Sequence, residues 1–177
     1  MRRILASAAA IGMAAALLSC SGATEPKAWT QQVCQALTPW RAQITQLNTQ
    51  AAAQMKAANS ASQARDSILG LLDGARTATE TARSKVVAAG VPDVKGGKDA
   101  AGKLVTALAG VRDAYAKARN TVAGLKTDPA QPFYDGVVAA MDTLNREYAK
   151  SGVDTAALGS DELAKDFGEA AACTASS

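Results

Sequence analysis

Apolar residues recur at every third or fourth position over most of this chain, the spacing that keeps one stripe of an α-helix facing a partner. The pattern is cleanest at Ala101, Leu104, Leu108, Val111, Tyr115, Ala118, Val122 and Leu125, where steps of three and four alternate without a break. A first helix carries Trp29, Val33, Leu37, Trp40, Ile44, Leu47, Ala51, Met55 and Ala58. Pro39 falls inside it, and Thr38-Pro39 also reads as an N-cap followed by N1, so this element is either one kinked helix or two. A second, from about Ser62, carries Ala64, Ile68, Leu71, Leu72, Ala75, Ala78, Ala82, Val86 and Ala89, and stops at Gly90-Val91-Pro92. The stretch from there to Gly96-Gly97 reads as the most flexible joint in the chain. Asp128-Pro129-Ala130-Gln131 has the form of an N-cap, an N1 proline and a capping-box N3, and opens a fourth helix through Phe133, Val137, Met141, Leu144 and Tyr148. That helix ends near Ser151-Gly152, and a last segment from Ser160 places Asp161 and Glu162 at the positive end of its dipole and leads through Leu163, Phe167 and Ala170 to Cys173. The fold class these elements define is all-α: an antiparallel up-down four-helix bundle with a short C-terminal helix.

Composition sharpens this picture. The 177 residues include 42 alanines but only two Phe, two Trp and three Tyr, which favours helices over a sheet built from aromatic and β-branched residues. Histidine is absent. That removes the commonest general base and metal ligand, so His-dependent triads and most zinc chemistry are excluded.

The beginning of the chain reads as an export signal spanning residues 1–19. Arg2 and Arg3 precede an uncharged run from Ile4 to Leu18, with the small Ser19 after it. The run is shorter than the roughly 20 residues needed to cross a bilayer core. Leu17-Leu18-Ser19-Cys20 resembles the bacterial lipoprotein box, in which the cysteine thiol receives a diacylglycerol and the chain is then cut before it. The competing reading is a soluble secreted protein cut near Ser19. The first implies that Cys20 is lipidated and that the protein sits on the extracytoplasmic face of the cell membrane, joined by a tether (residues 20–27, at most about 28 Å extended) to a bundle domain (residues 28–177). With Cys20 acylated, Cys34 and Cys173 remain in an oxidising compartment, and we expect them to pair and hold the last helix against the first. Two buried free thiols are the alternative.

Without Arg2 and Arg3 the chain has 17 basic and 16 acidic residues, too even a balance for a nucleic-acid partner that would be held by phosphate contacts. The charges are unevenly placed, with 14 basic and 7 acidic residues from Cys20 to Thr127, against 3 and 9 thereafter. Either an acidic last helix packs beside basic earlier ones, or a Lys/Arg face turns to anionic lipid.

Trp29 with Cys34, Pro39 inside the first helix, Ala89-Gly90-Val91-Pro92-Asp93-Val94, Phe133 and a cysteine near the end together resemble a family of small secreted actinobacterial lipoproteins. The resemblance implies an envelope location and a small helical fold, and it transfers no catalytic residue. Chemical motifs are weak throughout. Gly96-Gly97 lacks the rest of a phosphate loop. Asp161, Glu162, Asp166 and Glu169 read as a solvated face rather than an acid/base pair, and Trp29 and Trp40 as core rather than a ligand slot. The expectation is therefore a non-enzymatic interaction or structural module with no cofactor and no metal, partnered by the membrane and an unidentified envelope protein. The alternative is a carrier of a small apolar ligand between the helices.

Overall fold

The computed structural model describes residues 23–153, 161–170 and 173. Within them the chain forms α1 (Pro26–Ala57), α2 (Ala61–Ala88), α3 (Gly97–Gly124), α4 (Ala130–Ser151) and α5 (Asp161–Glu169). The signal segment and Cys20 lie outside the described residues.

α1 begins at Pro26, with the Glu25 carboxylate capping the amides of Lys27 (3.2 Å) and Ala28 (2.7 Å). It passes through Pro39 without splitting. Proline leaves the carbonyl four residues earlier without its helical donor; here that is Gln35, an exposed residue, where water can serve it. α2 is capped by Ser60, whose hydroxyl accepts from the Gln63 amide, and the Gln63 side chain accepts from the Asn59 amide in return. α4 starts differently from the cap reading of Asp128. Pro129 is extended (ψ 152°) and occupies the N-cap, so Asp128 lies one residue too early to cap, and Gln131 donates instead to Asp135 at 2.9 Å. Pro132 sits in the first turn, where its missing N–H leaves no hydrogen bond unmade.

α2 and α3 form the central pair, with α1 packed on α2, α4 on α3 and α5 on α1. One continuous core joins all five helices. The α3 stripe is buried from Ala101 to Val122, with Leu125 half-buried at its end. In α1 the expected stripe is buried from Trp29 to Trp40, but Ile44 and Leu47 are only half-buried and Met55 is exposed. Small residues set the spacing between helices. Leu47 fills the hollow at Gly74, where an added Cβ would come within 2.8 Å of a Leu47 methyl. Trp40 Nε1 donates to Thr79 Oγ1 at 3.0 Å, and that hydroxyl donates on to the Ala75 carbonyl at 2.7 Å, so the buried polar pair between α1 and α2 is satisfied.

The segment expected to be the loosest joint is instead among the most tied. Thr24 forms a parallel bridge with Pro92. Its amide donates to the Val91 carbonyl (2.8 Å), its carbonyl accepts from the Asp93 amide (2.7 Å), and its hydroxyl donates to the Ala89 carbonyl (2.9 Å). Trp29 Nε1 adds a bond to the Gly90 carbonyl at 3.0 Å. Gly90 and Gly96, both at φ +78°, make the turns this path requires. Residues 24–27 thus belong to the folded domain rather than to a tether, because the backbone of Thr24 is already paired.

Gly97 packs against the Pro92 carbonyl so closely that an added Cβ would overlap the carbonyl oxygen. Gly97→Ala should therefore lower the unfolding free energy by about 1–3 kcal/mol. Gly102→Ala, with open space around it in the same helix, should raise it by up to about 1 kcal/mol. Urea denaturation of the two variants checks this, and equal effects would contradict the close approach at Pro92.

Candidate functional site

The two cysteines expected to pair do so. Cys34 and Cys173, 139 residues apart, form a disulfide with Cα atoms 5.1 Å apart. Cys34 is fully buried on α1 and Cys173 half-buried. The bond holds α5 on the first turns of α1, where Phe167 meets Trp29 edge to face at 5.9 Å and Leu163 is fully buried. A nine-residue helix is not stable alone. Burial of Leu163 and Phe167 contributes about 1.5–3 kcal/mol each. Closure of so long a loop adds about 5 kcal/mol to the stability of the whole fold in the chain-entropy model, and the covalent link keeps α5 beside α1. Cys20, the expected lipidation site, lies outside the described residues.

Both tryptophans expected in the core are there, with each indole N–H bonded within the protein. On α5, Asp161, Glu162 and Glu169 are exposed and Asp166 is half-buried, while Lys165 approaches Glu169 at 3.9 Å. The arginines of α2 and α3 find acidic partners within these two helices rather than on the acidic last helix. Arg112 and Arg119 of α3 cross to Glu80 and Asp73 of α2, because the register of the two helices sets these residues opposite one another, while Arg65, Arg76 and Arg83 pair with acids of α2 itself. Glu80 accepts from Arg83 (2.9 and 2.6 Å) and from Arg112 (2.9 Å), Arg112 reaches Asp113, and Arg119 reaches Asp73 at 3.3 Å. The Arg83 and Arg112 hydrogen bonds hold the Glu80 carboxyl down at about 2, against an ordinary 4.5. Sequence reading missed this cluster. The Glu80–Arg83 spacing was visible, but Arg112 joins it only through helix register.

A groove of ≈ 390 Å³ runs between α3 and α4. Buried Ala114, Ala118 and Ala140 with half-buried Gly136 make a small floor, and Leu125, Leu144, Thr121, Thr143, exposed Ala139, Lys117 and Glu147 complete the lining. The hollow at Gly136 is partly filled by Leu125, which a Cβ there would meet at 2.8 Å. α4 also exposes Tyr134, Val138 and Tyr148 on another face, Val138 at 60%. Where α3 and α4 converge, burial pushes the Tyr115 hydroxyl up to about 12 and raises Tyr148 as well. Such a groove suits an apolar rod, either a helix or an acyl chain, rather than a compact polar substrate. Among the described residues no cluster of three or more metal-ligating side chains occurs, and no helix is long and apolar enough to cross a membrane.

Comparison with protein-family models, with curated proteins and with solved structures gave no match to this chain.

The lowered Glu80 pKa has a defined sign. A carboxyl depressed on folding contributes stability above its unfolded value near 4.5, and loses that contribution as pH falls toward 2. The difference in urea midpoint between the wild type and Glu80→Gln should therefore be constant above about pH 5 and shrink steadily below it. A difference independent of pH would contradict the ion-pair geometry.

Proposed function

We propose that this is a lipid-anchored cell-envelope protein, held on the extracytoplasmic face of the membrane through Cys20. Its disulfide-closed bundle acts as a non-enzymatic interaction or structural module. The observation that carries the reading is the lipoprotein-box sequence Leu17-Leu18-Ser19-Cys20 placed four residues before Thr24, where the folded domain begins. A disulfide between the first and last helices suits an exported chain. The resemblance to small actinobacterial lipoproteins points the same way. For interaction, the α3/α4 groove and the exposed apolar residues of α4 offer surface of the kind that receives a partner helix.

A second reading is favoured by one feature: the same groove is apolar enough to take a small apolar ligand, which would make the protein a carrier. Ala139→Trp, at an exposed position lining the groove, would block either use without touching the anchor.

Cell fractionation tests the anchor. Wild-type protein should stay with membranes through salt and carbonate washes and be released by detergent, whereas Cys20→Ala should lack acyl chains and lose that retention. Wild-type protein that washes off without detergent, or that carries an unmodified Cys20, would overturn the proposal.

A further inference from the structure

Resting on the anchor at Cys20, we infer that the end of the bundle formed by Thr24, Val87, Val91 and the start of α3 is a foot that contacts the bilayer and stands the helices upright on it. Only Ser21, Gly22 and Ala23 separate Cys20 from Thr24. Four Cα steps span at most about 14 Å, half the reach of a tether running to Lys27. Thr24 cannot swing away from the body, since its backbone is bonded in both directions to Val91 and Asp93 and its hydroxyl to Ala89. The acylated residue is thus tied to one end of a bundle whose first helix, at 32 residues, is about 48 Å long.

A short tether fixes which end is near the membrane but does not by itself forbid lying flat. The surface chemistry offers the tethered end an apolar contact and disfavours lying on the α2/α3 face. At the tethered end, two large apolar side chains are exposed, Val87 at 52% and Val91 at 40%. Lys27, Lys95 and Lys98 are exposed around them, an arrangement of apolar tips and ammonium groups suited to the headgroup layer. Along the bundle's length, the α2/α3 face carries the Asp73, Glu80, Arg112 and Arg119 pairs, which would have to shed water to lie against lipid. α4 offers the competing apolar side, through Tyr134, Val138 and Tyr148.

Charge does not supply the attraction. Lys27, Lys85, Lys95 and Lys98 stand against Glu25, Asp93 and Asp99 in the same region, and the excess of one is offset by acidic α5 beside the first turns of α1. The contact is short-ranged and depends on the anchor to hold the foot in place, which sets it apart from peripheral binding by a basic face.

Lysine footprinting of the native protein tests this. The acylated protein in phosphatidylcholine vesicles and the unacylated chain beginning at Ser21 would be treated with a small amine-acetylating reagent and compared by peptide mass spectrometry. Lys27, Lys95 and Lys98 should be modified about threefold more slowly, or less, in the vesicles. Lys56, Lys117, Lys126 and Lys150 should be unchanged. Insertion of about twelve Gly/Ser residues between Gly22 and Ala23 should remove the protection. Protection of Lys117, Lys126 and Lys150 would show a bundle lying on its α3/α4 side, and even labelling would show no fixed contact; either overturns the foot. The mass of the N-terminal peptide reports Cys20 separately, so an unmodified cysteine would refute the anchor itself rather than the posture.

Discussion

The constraint on which the rest of this structure depends is the fastening of the first turns of α1. Three distant parts of the chain converge there: the Gly90–Asp93 turn through hydrogen bonds to Thr24 and Trp29, α5 through Phe167 and Leu163, and Cys173 through the disulfide. None of these contacts alone would hold its segment. Turn backbone without partners would stay in water, and a nine-residue helix would melt. Together they close loops of 61 to 139 residues, and for the longest of them the disulfide carries part of the closure entropy by constraining the unfolded chain.

An alanine-rich interior explains why such fastening matters. Alanine brings helices close and has high helix propensity, but its burial removes little apolar surface from water. The larger buried side chains are concentrated in Trp29, Phe133, Ile68 and a limited set of leucines and valines. Where these are dense, on α2, α3 and the first half of α1, the helices are well covered. In the second half of α1 the apolar stripe thins to Ile44, Leu47 and Ala51 among exposed Gln, Asn and Thr, and only one neighbouring helix packs extensively against it. The molecule therefore has one tightly tied end, where the chain enters from Cys20, and one looser end directed away from it.

Much of this was legible from spacing alone. Every stripe residue of α3 from Ala101 to Val122 is buried, but Ala100, Ala107 and Ala114 are buried beside it, because α2 and α4 both pack on this helix and cover a wider arc than one stripe. The disulfide followed from cysteine parity, and the Gly90 and Gly152 stops from residues suited to positive φ. Two of the misreadings depended on partners far away in sequence. The Gly90–Gly97 stretch looks flexible by composition, yet it is held by main-chain bonds to Thr24 that leave no side-chain signature. Glu80 and Arg112 meet only because α2 and α3 adopt one register. The Asp128 cap was read from a local motif that also fits a helix starting one residue earlier than α4 does. The groove between α3 and α4 was not legible at all, since Ala and Gly at its floor look the same in sequence as those in a closed seam.

The function proposed here follows from a short connection between a lipoprotein-box cysteine and a rigid end, so the rigidity of that end is its central physical claim. Amide hydrogen exchange of the disulfide-intact protein measures it directly. The amides of Thr24, Asp93 and Gly97, which donate to the Val91, Thr24 and Val94 carbonyls, should be protected nearly as well as the core of α3, and better than those of residues 44–57. Thr24 and Asp93 amides exchanging at the rate of an open loop would contradict the account.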